Sequence, residues 1–148
     1  MGKVYNMVMK YKNKYPGAIS FRLKKHCKLV ESHLYPDEEV IYAFCAQKND
    51  EWYDISNTNV ICLTNKRMIV ATKRVLFGYF FISVVPNHFN DLTIFNGLIW
   101  GKILIDTVKE EVLLTNIPVK AMHELDIRLT DYFNKYKRIK VDNENRSI

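Results

Sequence analysis

The hydrophobic residues of this chain change their spacing twice along its length. Up to about residue 34, and again after Pro118, they recur every three or four positions, as they do along one face of an α-helix. Between Glu39 and Ile117 they instead form short runs, separated at short intervals by turn residues. This order predicts an α+β protein in which two helices precede an antiparallel sheet and one helix follows it.

A helical hairpin is predicted for residues 1–35. Proline disfavours helix in the residue before it and glycine frees the turn that follows, so Tyr15-Pro16-Gly17 separates two helices. The second helix runs from about Ala18 to Leu34. Each helix has one apolar face and one basic face. The apolar stripes consist of Val4, Met7, Val8 and Tyr11 in the first helix and of Ile19, Leu23, Cys27, Val30 and Leu34 in the second.

Seven antiparallel strands are predicted in the middle of the chain. Two connections carry hairpin signals: Thr64-Asn65-Lys66-Arg67 is typical of a tight turn, and Asn96-Gly97 readily enters a positive-φ hairpin turn. The polar stretch from Gln47 to Asn57 forms the first loop. The predicted strands are Val40–Ala46, Asn59–Leu63, Met68–Thr72, Tyr79–Val85, Leu92–Phe95, Leu98–Asp106 and Glu111–Ile117.

The last predicted helix starts after Pro118, because proline suits the first turn of a helix. A sheet with one apolar face must close or be covered, and this helix is the expected cover. The residues from Arg138 to Ile148 are polar, and we expect them to fray. The apolar stripe of the helix consists of Met122, Leu125, Leu129, Tyr132, Phe133 and Tyr136.

The net positive charge of the chain lies entirely in its first 28 residues. Eight of the 22 basic residues precede the first acid, Glu31, so the remainder carries 14 basic against 16 acidic residues. We expect three parts: a basic helical hairpin extension over residues 1–35, a compact domain over 36–137 and a polar tail over 138–148. No stretch looks like a signal peptide or a membrane-spanning helix, which favours a cytoplasmic protein.

Two motifs resemble a known family. Leu63–Val70 (Leu-Thr-Asn-Lys-Arg-Met-Ile-Val) and Asn96–Ile103 (Asn-Gly-Leu-Ile-Trp-Gly-Lys-Ile) are followed by a last strand and an amphipathic helix. In this order they resemble bacterial pleckstrin-homology (PH)-like domains of the YokE-like type, over about residues 36–136. The resemblance implies a PH-like seven-stranded antiparallel bent sheet, or partly open barrel, capped by a C-terminal helix. It also implies a binding role without catalysis.

No group of residues in the sequence predicts catalysis, a metal or a cofactor. The four histidines lack the spacing of metal ligands, and no serine lies in a Gly-x-Ser-x-Gly turn. The five glycines form no phosphate-binding loop. Cys27, Cys45 and Cys62 are odd in number and flanked by apolar residues, so we expect buried thiols. We therefore predict that the protein is not an enzyme and has no small-molecule substrate.

Two binding functions agree with the sequence. We favour a protein-interaction or self-assembly module, in which an open sheet edge or the leader groove takes a peptide or another copy of the chain. The alternative is peripheral binding to anionic membrane lipids, at the inner face of the membrane, through the basic amphipathic N-terminal helices. Asp50, Glu51 and Asp54 disfavour headgroup recognition in the first sheet loop. Nucleic acid is the least favoured partner, because the body shows no stacking motif.

The candidate contact residues are cations and two tryptophans. If both leader helices pack their apolar faces on the sheet, their lysines remain in solvent; exposed stripes would instead need a membrane or a partner to cover them. The candidates for partner or lipid contact are Lys3, Lys10, Lys14, Arg22, Lys24, Lys25, Lys28, Trp52, Lys66, Arg67 and Trp100.

Overall fold

In the part of the chain that the structure describes, three α-helices and seven β-strands follow one another in the order that the hydrophobic spacing predicts. The computed structural model describes residues 2–48 and 57–146, and the side chains of these residues up to 137. A short 3-10 helix, Pro86–His88, connects β4 to β5. The elements are α1 (Lys3–Lys14), α2 (Leu23–His33), β1 (Val40–Gln47), β2 (Thr58–Thr64), β3 (Met68–Lys73), β4 (Tyr79–Val84), β5 (Phe89–Asn96), β6 (Trp100–Thr107), β7 (Glu111–Pro118) and α3 (Val119–Arg146).

The seven strands form one antiparallel sheet with the spatial order β4-β3-β2-β1-β7-β6-β5. Strands that follow each other along the chain pair as hairpins within β1–β4 and within β5–β7. The two groups meet where Gln47 of β1 pairs with Thr115 of β7. The sheet curls into a half-barrel, and β4 and β5 are its edges. This confirms the predicted bent antiparallel sheet.

The β5–β6 hairpin turns two residues later than we predicted. The Gly97 N–H donates to the Trp100 carbonyl over 3.0 Å, so Leu98-Ile99 forms the tip of the turn. Neither residue of Asn96-Gly97 has a positive φ, and the prediction of a turn centred there is wrong. The register is set by burial, because pairing Ile94 with Ile103 keeps Ile103 on the inner face of the sheet.

Helix α3 covers the open side of the half-barrel, as predicted. It contacts β5, β6, β7 and the 3-10 helix, and its Leu125 and Leu129 are completely buried. The Phe133 ring stacks on the Phe89 ring, with 3.9 Å between the ring centroids. Gly101 of β6 lies directly under Met122, and any Cβ at this position would collide with the methionine side chain. The close approach of helix and strand therefore favours a glycine, since a larger residue would require the Met122 side chain to move.

The same helix extends beyond its predicted end. Its backbone is helical up to Arg146, whereas we expected the chain to fray from Arg138 onward. The residues between these two positions include neither glycine nor proline, so the sequence has no signal that would stop the helix.

Helix α2 begins at Leu23, five residues after the predicted start at Ala18. The Lys12 ammonium donates to the carbonyl oxygens of Pro16 and Ala18, so this segment is bound to the end of α1 as a turn and does not begin α2. Arg22 then adopts a left-handed backbone conformation, with φ of 59° and ψ of 37°, and directs the chain into α2.

Both N-terminal helices pack on the sheet and share its core. Helix α1 lies on β1 and contacts α2, which itself lies on β2 and β3. The stripe residues Val4, Val8, Cys27 and Val30 are completely buried. Every residue of β2 is buried as well. Since successive side chains of a strand point to opposite faces, both faces of β2 must be covered.

Candidate functional site

Arg67 lies in a buried ion pair, although the sequence predicts it to be a residue that contacts a partner or lipid. Its guanidinium binds both carboxylate oxygens of Glu38, at 3.0 and 3.1 Å, and donates to the His33 carbonyl at 2.9 Å. It also stacks over the Tyr35 ring. Burial works to raise the pKa of Glu38, but the hydrogen bonds from Arg67 and Thr64 hold it below its usual value. Arg67 therefore links α2 to the β2–β3 hairpin and is not available to a partner.

Two further candidate lysines carry ion pairs at the surface. The Lys66 ammonium lies 2.7 Å from the Asp37 carboxylate, and the Lys14 ammonium lies 2.6 Å from that of Glu124 on α3. The Tyr42 hydroxyl also donates to Glu124, over 2.9 Å. Burial works to raise the pKa of Glu124, but these two hydrogen bonds hold it below its usual value. Lys14 thus joins α1 to α3.

The other leader cations remain at the surface. Lys3, Lys10 and Lys24 are exposed, and Arg22 is half-buried. Because Val4, Val8, Tyr11, Cys27 and Val30 of the apolar stripes are buried, the stripes are not available for insertion into a bilayer in the folded protein. The basic depression, a shallow cavity of about 310 Å³, is lined by Lys25, Lys28, Leu29, Ser32 and Lys73.

An exposed apolar hairpin lies beside this depression, and sequence reasoning missed it. In the connection between β3 and β4, which we call the β3–β4 tip, Val75, Leu76 and Phe77 are 60%, 83% and 85% exposed. Gly78 closes the loop with φ of 76°, a conformation that glycine adopts without strain. A signal was present in the sequence, because turns between strands are normally polar and this one has three consecutive apolar residues.

A second exposed apolar area surrounds Trp100 on the outer face of β5–β7. Trp100 lines two cavities, one of about 620 Å³ over the strands and one of about 560 Å³ toward the loop after α1. Leu98, at the tip of the hairpin, is 97% exposed. Lys102 and Glu111 stand at the rim, so charges of both signs are present. The Trp100 surface, as we call it, consists of Phe95, Leu98, Ile99, Trp100, Leu104 and Leu113.

The comparison with known families agrees with this architecture. Residues 34–126 match the family model described as the bacterial PH domain. The chain belongs to the bacterial PH domain family. This confirms the resemblance drawn from the two motifs, and membership in this family makes a binding module the general expectation for the fold.

Two solved structures are similar to this PH domain. One is a DUF1696 family protein with a pleckstrin-homology domain from Shewanella loihica, at 12% identity and a TM-score of 0.49, covering 81% of this chain and 97% of the other. The second is a pleckstrin homology domain from Shewanella amazonensis, at 13% identity and a TM-score of 0.48, covering 83% of this chain and 98% of the other. No curated protein matches the sequence.

The described side chains of this PH domain provide little for chemistry. Burial raises the pKa of the Cys27, Cys45 and Cys62 thiols to about 12, so none of them is an activated nucleophile. Within residues 2–48 and 57–137 no three His, Cys, Asp or Glu side chains come together as metal ligands. Over the same residues, no helix has the length and apolar character needed to cross a membrane. Trp52 and the neighbouring loop acids lie outside the described residues.

Proposed function

We propose that this PH domain is a non-catalytic protein-interaction module, and that its Trp100 surface takes an extended apolar segment of a partner. The observation that carries the proposal is the meeting of two apolar cavities at one tryptophan on an uncovered sheet face. Tryptophan is enriched among the residues that dominate binding energy in protein interfaces. Of the sequence candidates, Trp100 therefore becomes the central contact residue.

The position of β5 supports an extended ligand. Within residues 2–48 and 57–146 this strand is the last in the sheet order, so no described strand pairs with one of its two edges. An incoming strand could pair with the free backbone groups at that edge. Its alternate side chains would then face the apolar groove lined by Phe95, Trp100, Leu104 and Leu113. Backbone pairing would provide affinity and the groove would select apolar side chains.

The charges on this face also favour a protein segment. Lys102 and Glu111 lie on the same groove and offset each other, and the second cavity adds Lys120 and the Lys14 that is paired with Glu124. A polyanion would gain little from such a rim, whereas a neutral apolar peptide would not be repelled. A second copy of the chain is one source of such a segment, because β4 provides another strand edge.

The test is a selection of phage-displayed random peptides on the full chain, followed by calorimetry with the enriched peptides. We expect peptides with apolar residues at alternate positions. Leu104→Glu and Leu98→Glu should each weaken their binding at least about tenfold, because a buried unpaired carboxylate is costly. Asn134→Glu, at an exposed position on α3, is the charge-matched control.

Light scattering separates the two sources of the segment. A dimer of the wild type that Leu98→Glu dissociates would assign the surface to another copy of this chain. The proposal fails if no peptide is enriched and the chain is monomeric, or if enriched peptides bind the two leucine variants as tightly as they bind Asn134→Glu.

A further inference from the structure

The β3–β4 tip places large apolar side chains where the rest of the described chain leaves them largely exposed. Leu76 and Phe77 are more than four-fifths exposed, and Tyr79 and Phe80 at the start of β4 are about half exposed. The loop backbone is held by a hydrogen bond from the Arg74 N–H to the Gly78 carbonyl, at 3.1 Å. Exposing such a patch opposes solubility, so it marks an interaction site.

Cations from two elements surround the base of this tip. The Arg74 guanidinium lies over the Phe80 ring, 4.1 Å from its centroid. The Arg22 guanidinium reaches the Lys73 carbonyl at 3.4 Å, and the Lys73 side chain lines the basic depression together with Lys25 and Lys28 of α2. Among the described residues, positive charge therefore extends from α2 to the hairpin.

The acid of α2 does not offset this charge. Glu31 is the one acidic residue within Leu23–His33. Its carboxylate accepts a hydrogen bond from the Tyr5 N–H at the start of α1, over 3.3 Å. A carboxylate at that position stabilises the positive end of the α1 dipole. Glu31 therefore stabilises the packing of α1 against α2. None of the described residues that line the basic depression is acidic.

We infer that the β3–β4 tip inserts into an anionic lipid bilayer while the basic depression contacts the headgroups. Apolar side chains gain free energy at the boundary of headgroups and acyl chains, and cations near an anionic surface add about 1 kcal/mol each. Together the two contributions require apolar residues at the end of a protruding loop and cations at its base. Leu76 and Phe77 are the apolar residues, and Lys73 and Arg74 are the cations.

Charge distinguishes this surface from the Trp100 surface. Leu98 is more exposed than Leu76, but the groove beside it carries Lys102 and Glu111 together. The cavity that Leu98 lines holds Lys120 and Lys14, and Lys14 is paired with Glu124. An anionic bilayer attracts a surface that carries only positive charges, and it gains little from a surface that carries both positive and negative charges. The inference uses a surface different from that of the proposed function, and either can fail without the other.

The experiment is co-sedimentation of the full chain with vesicles of phosphatidylcholine, with or without about 30% phosphatidylglycerol, at about 0.1 M salt. We expect binding to the anionic vesicles to be at least about tenfold tighter than to the neutral ones, and to weaken as salt is added. Leu76→Ser combined with Phe77→Ser should reduce the partition coefficient at least about tenfold. Leu98→Ser removes a leucine that is even more exposed, from the other hairpin, and should bind like the wild type.

A second pair of variants tests the basic depression. Lys25→Glu combined with Lys28→Glu should also weaken anionic binding at least about tenfold, whereas Lys3→Glu combined with Lys10→Glu makes the same charge change on α1 and should cost no more than about threefold. All the substituted positions are exposed, so each variant should keep the wild-type urea midpoint. A Phe77→Trp fluorophore should shift to shorter wavelength on anionic vesicles, and a Leu98→Trp fluorophore should not.

Several results would overturn the inference. They are failure of the wild type to sediment with anionic vesicles, equal binding by the tip variants and the wild type, or an equal loss with Leu98→Ser. An oligomer in light scattering that the tip variants dissociate would assign the tip to a second copy. A gel shift with single-stranded DNA that the Lys25 and Lys28 variants abolish, without sedimentation on vesicles, would assign the cations to nucleic acid.

Discussion

The two halves of the sheet differ in what lies on their outer faces. All seven residues of β2 are buried, because α1 and α2 lie over β1–β3, whereas buried and half-buried residues alternate along β6. The leader helices are therefore part of the core of one half, and the other half keeps an apolar face open. The same antiparallel arrangement thus forms a covered core where helices lie over it, and it leaves an apolar face for the proposed binding where they do not.

Removal of residues 1–34 should cause the largest loss of stability, because it uncovers the half of the sheet that the leader helices cover. The truncation would expose the outer face of β1–β3 together with the buried partners of Val4, Val8 and Val30. The loss should approach the whole unfolding free energy of a domain, about 5–15 kcal/mol. Circular dichroism and urea titration should show an unfolded or aggregated product, and a cooperatively folded fragment of residues 35–148 would contradict the account.

Arg67→Met should have the next largest effect, about 3–5 kcal/mol, because it leaves the Glu38 carboxylate buried without its partner. Urea titration at neutral pH measures the loss. The folded-state pKa of Glu38 lies below its usual value, so its stabilisation is present above about pH 4.5 and is lost as the pH falls through the folded pKa. The wild type should lose more stability below pH 4.5 than the Arg67→Met variant, and equal slopes would contradict this.

Two neighbouring leucines of β7 allow the covered and the open face of the sheet to be compared within one strand. Leu114 is completely buried and Leu113 lies on the open outer face. We expect Leu114→Ala to cost about 2–5 kcal/mol and Leu113→Ala less than about 1 kcal/mol. In β2, where both faces are covered, Ile61→Ala and Val60→Ala should both lower the free energy of unfolding substantially. Urea titrations of the four variants would contradict the account if Leu113→Ala matched Leu114→Ala.

The smallest predicted effect is a pH dependence from His26, beneath the β3–β4 hairpin. Its Nδ1 accepts the Lys73 N–H over 2.8 Å, and burial lowers the pKa of His26. The neutral ring is favoured in the folded state, so its contribution is complete above the unfolded pKa of about 6.5 and is lost as the pH falls through the lowered folded pKa. Between pH 7 and pH 5 the wild type should lose stability in urea titrations, and His26→Gln should lose less.

The periodicity of the sequence was sufficient to predict the order of the elements, because hydrophobic spacing reports which face of each element is buried. Hydrophobic spacing does not indicate which residues, far apart in the sequence, will contact each other in the fold. Arg67 follows a tight turn and looks like a surface cation, yet it binds Glu38, 29 residues earlier. The predicted start of α2 was too early, because the spacing of the apolar residues does not indicate that Lys12 binds the Pro16 and Ala18 carbonyl oxygens in a turn.

The candidate surfaces were predicted only in part, because exposure depends on what the rest of the chain covers. Trp100 was named from its residue type, and the cavities on both sides of it became visible only in the fold. The leader lysines were predicted to be exposed by the spacing of the apolar stripes. Val75-Leu76-Phe77 was passed over, since an apolar run between two strands does not by itself indicate whether it is buried or projects.

Thiol reactivity tests the covering of β1–β3 by the leader helices most directly. Cys27 lies on α2, Cys45 on β1 and Cys62 on β2, and all three are buried. With a colorimetric disulfide reagent under native conditions, the account predicts that none of the three reacts at the rate of a free thiol, while a Leu113→Cys variant gains one fast thiol. Rapid reaction of two or more native cysteines in the folded protein would contradict it.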